Sequence, residues 1–223
     1  MTTLLVLGGS GRTGIHVLEH AVERGHRVRA LVRKPEAVDA PDGVELIAGT
    51  PTSIDDLRRA AEGVDAVVSA LNNSRASDNP WAKPISPPTF MTDATRDTLT
   101  VMHERGIHRI AIASTQGAGD SWHSLNPLFK ALIKTSGIRH GYNDHHGVDA
   151  VARASTAEWT LVRSVALTDG APRGPLRAAL AGTEKPGMNV SRTEVARFLL
   201  DSLETDTWLR QAPVIWNDRS PRR

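Results

Sequence analysis

The feature that most constrains this chain is an apolar run that ends abruptly in closely spaced glycines. Residues 4–17 read LLVLGGSGRTGIHV, so a segment suited to a buried strand meets a turn and then a second apolar segment. Two glycine spacings overlap here. Gly9, Gly11 and Gly14 read G-x-G-x-x-G, whereas Gly8, Gly11 and Gly14 read G-x-x-G-x-x-G. Because glycine permits a tight turn, the segment predicts a strand, a glycine loop and a helix in succession.

Short β-rich runs alternate with helical patterns along the rest of the chain. The first strand is continuously apolar, which is typical of a sheet that helices cover on both faces. The rhythm predicts an α/β fold with a Rossmann-like, doubly wound parallel sheet. We expect a single domain over residues 1–217, with a small C-terminal appendage, and a basic tail at 218–223. The predicted strands are 3–7, 27–32, 44–48, 66–71, 109–113, 160–163 and 214–216, and the predicted helices are 12–24, 54–61, 91–105, 147–154 and 191–203.

Composition excludes several classes of protein. The chain has 27 basic and 25 acidic residues, and its basic cluster is the terminal Arg219, Arg222 and Arg223, so we expect no nucleic-acid binding. The absence of cysteine excludes a disulfide framework and a thiolate nucleophile. No apolar run approaches the roughly 18 residues of a membrane span, and we expect no signal peptide before the first strand. We expect a cytoplasmic protein with a small-molecule substrate and no membrane partner; a homodimer is left open.

The glycine loop has the context that dinucleotide binding requires, with a strand before it, a helix after it and a second strand from Arg27. Such glycines let the backbone approach a diphosphate at a helix N-terminus. A cofactor with a free ribose 2′-hydroxyl usually meets an acid about 20 residues further on, but this chain has Arg33 and Lys34 there. A guanidinium binds a 2′-phosphate with two hydrogen bonds, and Arg12 can approach the same group. The sequence therefore predicts NADP(H); the alternative is that these cations are solvated surface side chains.

Four segments, VLGGSGRTG, LVRKPE, EWTLVRS and VSRTEVARFLL, together resemble a known family. The chain is similar to the NAD(P)H-binding, NmrA-like branch of atypical short-chain dehydrogenases, and within it to the biliverdin reductase B/flavin reductase group. The resemblance implies the G-x-x-G-x-x-G register, phosphate contacts from the loop and backbone contacts after the fourth strand. The residues that it implies in cofactor binding are Gly8, Ser10, Gly11, Arg12, Thr13, Gly14, Arg33, Leu71 and Asn72.

The chain departs from this family's pattern at two positions. The family usually has Gly-Asp after the third strand, where the acid lies by the adenine, but this chain has Gly49 and Thr50. The departure weakens any role for Thr50 and leaves Pro51 as the residue expected to pack against adenine. The family commonly has proline where this chain has Ser164.

Ordinary short-chain dehydrogenases place a Ser hydroxyl and a Tyr-x-x-x-Lys pair beside the nicotinamide, where the lysine lowers the pKa of the tyrosine. Here Ser114 and Thr115 end the predicted fifth strand, in the place of that hydroxyl. In the segment HGYNDHHGVD, counting back from EWTLVRS puts His145 at the lysine position and Gly141 at the tyrosine position. Tyr142 is one residue off and is expected to pair with His146 at the i,i+4 spacing instead. The usual dyad is therefore absent or degraded.

Two interpretations of this segment stay open. In the first, hydride passes from nicotinamide C4 to a stacked flavin or quinone, and proximity does most of the work. His145 then orients the cofactor or supplies a proton near neutral pH. In the second, His145 and His146 are only the polar start of a helix. We expect no metal site, because adjacent residues on a helix diverge and no H-E-x-x-H pattern is present. The catalytic candidates are Ser114, Thr115, Tyr142 and His145.

Two irregular segments follow predicted strands, so both lie at the carboxyl edge of the sheet, where open α/β folds bind ligands. These segments are 72–89, which contains Trp81, and 116–126, which contains Trp122. The two tryptophans are candidates for the wall of a pocket for a flat substrate; a partner-binding patch and loop anchoring are the alternatives. A second pair, Trp159 and Phe198, falls within apolar patterns that indicate core.

Three functions are compatible with these features. The first is an NADPH-dependent oxidoreductase that transfers hydride to a small conjugated acceptor, such as a flavin, a quinone or a tetrapyrrole-like molecule. The second is a non-catalytic NADP(H)-binding redox sensor of the NmrA type, which would tolerate the missing dyad. The third, an epimerase or dehydratase, usually needs a larger C-terminal domain and the Tyr-x-x-x-Lys pair.

Overall fold

The computed structural model describes residues 1–77 and 79–218. The strands are β1 (Thr3–Leu7), β2 (Arg27–Val32), β3 (Val44–Ala48), β4 (Ala66–Ser69), β5 (Arg109–Thr115), β6 (Glu158–Ser164), β7 (Ala166–Thr168), β8 (Leu176–Ala179), β9 (Asn189–Ser191) and β10 (Val214–Asn217). The helices are α1 (Gly14–Glu23), α2 (Ile54–Ala60), α3 (Phe90–Arg105), α4 (Pro127–Thr135), α5 (Arg139–Ala154) and α6 (Arg192–Glu204). Short 3₁₀ helices cover Pro35–Ala37 and Gly119–Ser124.

Eight strands form one sheet in the order β3-β2-β1-β4-β5-β6-β10-β8. The strand pairs from β3 to β10 are parallel, and β8 is antiparallel to β10. A separate parallel pair joins β7 and β9. This architecture confirms the predicted α/β class, with a doubly wound parallel sheet and a small C-terminal addition.

The sheet separates two apolar layers. Leu4 and Val6 point into the layer that contains α1 and α6, whereas Leu5 and Leu7 point into the layer that contains α2, α3 and α5. Because alternate residues of β1 are buried on opposite faces, the strand is apolar throughout. Trp159 and Phe198 lie in these layers at 4% and 8% exposure, which confirms the prediction that both are core.

Two helices differ from the prediction. The prediction did not include α4, although Asn126 at its N-cap and Pro127 in its first turn are helix-start signals; its apolar residues Leu128 and Phe129 are 81% and 40% exposed. Helix α5 begins at Arg139, eight residues before the predicted start at 147. Its first turns bury the polar side chains Asp144 and His145, which hide the apolar periodicity on which the prediction depended.

The start of α6 agrees only partly with a capping box. Ser191 Oγ accepts a hydrogen bond from the Glu194 N–H at 3.3 Å, as an N-cap does. The Ser191 N–H, however, donates to Asn217 Oδ1 at 3.1 Å rather than to Glu194. Strand β10 therefore completes the cap. No helix in the described ranges has the length and apolar character to cross a membrane. The predicted basic tail, with Arg219, Arg222 and Arg223, lies outside the described residues.

Candidate cofactor and active site

The glycine loop requires glycine at particular positions, where a Cβ would collide with the backbone. Gly8 directly follows β1 with φ = +80°, and a Cβ there would lie 2.8 Å from the carbonyl oxygen of Ala70. A Cβ on Gly14 would lie 2.0 Å from the carbonyl oxygen of Gly8, so α1 begins directly against the loop. On Gly9 the nearest atom would be a flexible methyl group of Leu18 at 3.3 Å. The backbone therefore requires glycine at positions 8 and 14, which favours the G-x-x-G-x-x-G register.

The N-terminus of α1 is open to an anion. Thr13 stands at the N-cap without a side-chain cap bond, and the first turn of the helix has no acidic residue. The Gly11 N–H donates to the Gly8 carbonyl at 3.0 Å, which closes the turn behind the helix start. Ser10 and Arg12 are exposed at this rim. Uncapped N–H groups and the helix dipole are the features that bind phosphate, so this cradle fits a dinucleotide diphosphate.

Arg33 lies at the same edge of the sheet as this cradle. Strands β1 and β2 are adjacent and parallel, and Arg33 directly follows β2 as Gly8 directly follows β1. Arg33 and Lys34 are both exposed. The edge next to the loop therefore carries two cations where a cofactor with a free 2′-hydroxyl would require an acid.

The segment after β3 contains an acid that the sequence did not indicate. The Thr50 N–H donates to Asp56 Oδ2 at 2.9 Å, and this hydrogen bond is the main cause that lowers the pKa of the Asp56 carboxyl. A carboxylate from α2 thus stands at Thr50, although Thr50 itself is not acidic. Pro51 is already buried, which leaves little of its ring for adenine. Across the loop, Leu71 is half-buried and Asn72 is exposed.

Ser114 and His145 face the same layer. Ile110 and Ile112 of β5 belong to the layer with α3 and α5, and the alternation along a strand assigns Ser114 to that face. His145 lies one turn before Val148, which belongs to this layer too. Ser114 Oγ and His145 Nδ1 are both buried without a hydrogen-bond partner among the described residues. Because unsatisfied buried polar atoms are costly, these two atoms mark a candidate site beyond the diphosphate cradle.

Burial lowers the pKa of His145 to about 4, with the neighbouring His146 acting in the same direction and Asp144 opposing it. The imidazole is therefore neutral at pH 7 and is 9% exposed. The burial and the lowered pKa favour the interpretation in which His145 orients the cofactor, and its role stays a prediction. A neutral imidazole still donates or accepts a hydrogen bond and can orient a bound group.

Tyr142 contacts Thr115 rather than His146. Its phenol hydrogen-bonds to the Thr115 side chain, and its ring lies edge-on to Phe129 with centroids 6.4 Å apart. Burial raises the pKa of Tyr142, which is opposite to the lowering that a lysine produces in the usual dyad. Tyr142 therefore stays protonated and lacks the partner that would make it an effective acid catalyst.

His146 anchors the Gly119–Ser124 segment. Its Nδ1 accepts a hydrogen bond from the Gly119 N–H at 3.0 Å, and the Trp122 ring lies edge-on to the imidazole at 5.8 Å. Burial is the main cause that lowers the pKa of His146. Trp122 therefore serves as a loop anchor, one of the alternatives to a pocket wall, whereas Trp81 is 66% exposed.

A buried ion network at the end of β6 was not anticipated. The Arg163 guanidinium, at 0% exposure, pairs with Asp149 and with Asp120. Asp149 also accepts a hydrogen bond from Arg153 Nε at 2.6 Å. An arginine directly after the apolar pair Leu161 and Val162 in EWTLVRS was the available signal, since a cation is buried only with paired carboxylates. Among the described residues, no group of three or more His, Cys, Asp or Glu side chains has the arrangement of a metal site.

The fold is shared with solved structures of low sequence identity. An anaerobillin reductase, ChuY from Escherichia coli O157:H7, superimposes with a TM-score of 0.80 at 20% identity, covering 99% of this chain and 100% of that chain. A short-chain dehydrogenase/reductase from Veillonella parvula in complex with NADP has a TM-score of 0.76 at 16% identity, covering 99% of this chain and 95% of that chain.

Sequence comparison identifies the family to which the chain belongs. The 3-beta-hydroxysteroid dehydrogenase of Mycolicibacterium neoaurum is 34% identical over 64 residues, which is 29% of this chain and 18% of that protein. The profile of the NAD(P)H-binding family matches residues 8–206, from the glycine loop to the end of α6. The chain therefore belongs to the NAD(P)H-binding family.

Proposed function

We propose that the protein is an NADPH-dependent oxidoreductase that transfers hydride to a small conjugated acceptor such as a flavin or a quinone. The observation that carries the proposal is the position of Arg33, exposed at the end of β2 and adjacent to a glycine loop that opens onto an uncapped helix. The resemblance to the biliverdin reductase B/flavin reductase group supports the acceptor class. The likeness to an anaerobillin reductase is consistent with it.

The chain's own residues divide the work as follows. Gly8 and Gly14 bring the backbone close to the diphosphate, and the N–H groups at the start of α1 bind it. Arg33 binds the 2′-phosphate with its planar guanidinium. When NADPH is bound, it supplies the hydride. Ser114 and His145 act as neutral hydrogen-bonding groups that orient the reacting partners rather than as acids.

Because neither Tyr142 nor His145 acts as an effective acid in this proposal, the acceptor is one that needs no acid catalyst from the protein. Tyr142 has a raised pKa, and His145 is neutral at pH 7. An acceptor that is reduced here must therefore take its proton from water, as flavins and quinones can once hydride has been added. A simple ketone instead requires a proton at the nascent alkoxide, which the usual dyad provides.

Exposed apolar side chains near the carboxyl edge suit a flat acceptor. A Cβ on Gly137 would lie 2.7 Å from the carbonyl oxygen of Ala82, so the turn that carries Trp81 packs against the junction of α4 and α5. Phe129 of α4 is 40% exposed and touches Tyr142. Aromatic faces beside a cofactor edge favour stacking of a conjugated ring.

The test is NADPH consumption with a panel of flavins and quinones, followed at 340 nm, beside a panel of simple ketones. We expect turnover with the conjugated acceptors and none with the ketones. Turnover confined to ketones would contradict the proposal.

A second candidate is a redox sensor that binds NADP(H) without turnover. The raised pKa of Tyr142 and the neutral state of His145 favour this candidate, because a sensor needs neither Tyr142 as an acid nor a charged His145. Tight NADPH binding measured by titration, with no consumption across the whole panel, is the result expected of a sensor.

A further inference from the structure

Asp144 has a buried carboxylate that accepts hydrogen bonds from uncharged donors. It is 2% exposed, and no Lys or Arg in residues 1–77 and 79–218 pairs with it. Its Oδ1 accepts from the Thr92 N–H at 2.8 Å and from the Thr92 hydroxyl at 2.6 Å. Its Oδ2 accepts from the Met91 N–H and from Asn73 Nδ2, both at 2.8 Å. A buried charge is tolerated only when its hydrogen bonds are made, so all four contacts matter.

Three of these contacts come from the first turn of a neighbouring helix, and two of the three cap it. The N–H groups of Met91 and Thr92 belong to the first turn of α3, where a local N-cap side chain usually satisfies them. The local N-cap, Thr89, makes no such bond, and its hydroxyl donates to Asp93 instead at 2.7 Å. Helix α5 therefore caps α3 through Asp144, a residue more than 50 positions further along the chain.

The fourth contact reaches the cofactor side of the site. Asn73 belongs to the 72–89 segment, which is separated from the end of β4 by two residues, and the Asn73 N–H donates to Asn72 Oδ1 at 2.8 Å. Because a carboxylate only accepts, Asn73 Nδ2 must face Asp144. The Asn73 Oδ1 is then a buried acceptor without a donor among the described residues. The side-chain amide is thus fixed in orientation, and the backbone of residues 71–73 is fixed with it.

The Asn73–Asp144 hydrogen bond is a tether between the 72–89 segment and α5, and α5 itself packs closely against α3. A Cβ on Gly147 would lie 2.1 Å from Thr92 Oγ1, so α3 and α5 are in direct contact one turn beyond Asp144. His145, with its unpartnered Nδ1, follows Asp144 on the same helix. One carboxylate therefore joins the start of α3, the His145 turn of α5 and the segment at the cofactor edge.

We propose that Asp144 is a positioning residue of the cofactor site, which holds residues 71–73 in place through Asn73 and fixes them relative to His145. This role rests on the proposed function, because residues 71 and 72 are the expected backbone contacts of the cofactor. Asp144 touches neither cofactor nor substrate in this role. It acts through Asn73.

Asn73→Ala separates this role from helix capping, because it removes the tether and leaves the three donors of α3 in place. We expect the Kd for NADPH, measured by fluorescence titration, to rise about fivefold, the size of one lost hydrogen bond. Amide hydrogen exchange at residues 71–74 of the ligand-free variant should become faster. Asp144→Asn should show both effects and also a lower Tm, since it disrupts the cap.

Asp93→Asn is the matched control. Asp93 lies in the same first turn of α3, but its side chain is 45% exposed, and its bond to the 72–89 segment is made at Thr89, at the opposite end of the segment from Asn73. Its Kd for NADPH should equal that of the unmodified protein. If Asn73→Ala keeps the original Kd and exchange rates while Asp144→Asn lowers only the Tm, Asp144 is a helix cap and the positioning role is overturned. If the unmodified protein binds no pyridine nucleotide, the proposed function itself fails, and that result is distinguishable because it precedes any variant.

Discussion

Gly14 packs against the carbonyl oxygen of Gly8 so closely that a Cβ on Gly14 would lie 2.0 Å from it. The contact is between backbone atoms, so no side chain can move to relieve it. Gly14→Ala must therefore displace α1 or the loop, and we expect a lower Tm together with a loss of NADPH affinity of more than about tenfold. Gly9→Ala is the control, because only flexible Leu18 methyls and the Ala30 methyl lie near it. Stronger damage from Gly9→Ala would favour the other glycine register.

Arg33 should decide the choice between NADPH and NADH. Removing a guanidinium from a phosphate costs about 1.5–3 kcal/mol, so Arg33→Ala should weaken NADPH binding by roughly 10-fold to 100-fold. NADH has no 2′-phosphate, so its Kd should stay unchanged. Arg27→Ala is a matched control, since Arg27 is exposed at the opposite end of the same strand. Equal losses of both nucleotides would refute the assignment of the 2′-phosphate.

The pKa of His145 predicts a pH dependence of stability. Its pKa of about 4 in the folded protein lies below the ordinary histidine pKa of 6.5, so the unfolded chain binds more protons between these two pH values. The free energy of unfolding should therefore fall as pH falls from 6.5 to 4, by about 3 kcal/mol from this group. His145→Gln should flatten that part of the profile in urea denaturation. An unchanged slope would show that His145 titrates normally.

The buried pair of Arg163 and Asp149, which joins β6 to α5, should contribute strongly to the free energy of unfolding. Replacing one member leaves the other charge buried, which typically costs 3–5 kcal/mol, so Arg163→Met should lower the free energy of unfolding by about this amount. Urea denaturation measures it. Replacing both residues, as Arg163→Met with Asp149→Leu, should cost less than the sum of the single changes. Arg58→Met, which breaks a surface pair with Glu104, should have little effect. Additive losses would mean that the two residues do not act as a pair.

Short-range patterns were sufficient to predict the fold. The apolar run of β1, the glycine spacing and the order of strands and helices each depend on neighbouring residues, and the structure agrees with the fold that they predict. The exposed position of Arg33 beside the loop follows from the register of two adjacent parallel strands. Cofactor choice and the individual binding residues stay predictions.

The rest of the candidate site depends on contacts between residues far apart in the chain. The sequence by itself determined where a dinucleotide can lie, because turn geometry and strand register are local. It could not show that His145 is neutral, that Asp144 caps α3 or that Arg163 is paired, because burial and partners decide these properties. Only the tertiary structure brings those partners together and removes water from them. The solvation of α5, and with it the chemistry available to the site, was decided by packing.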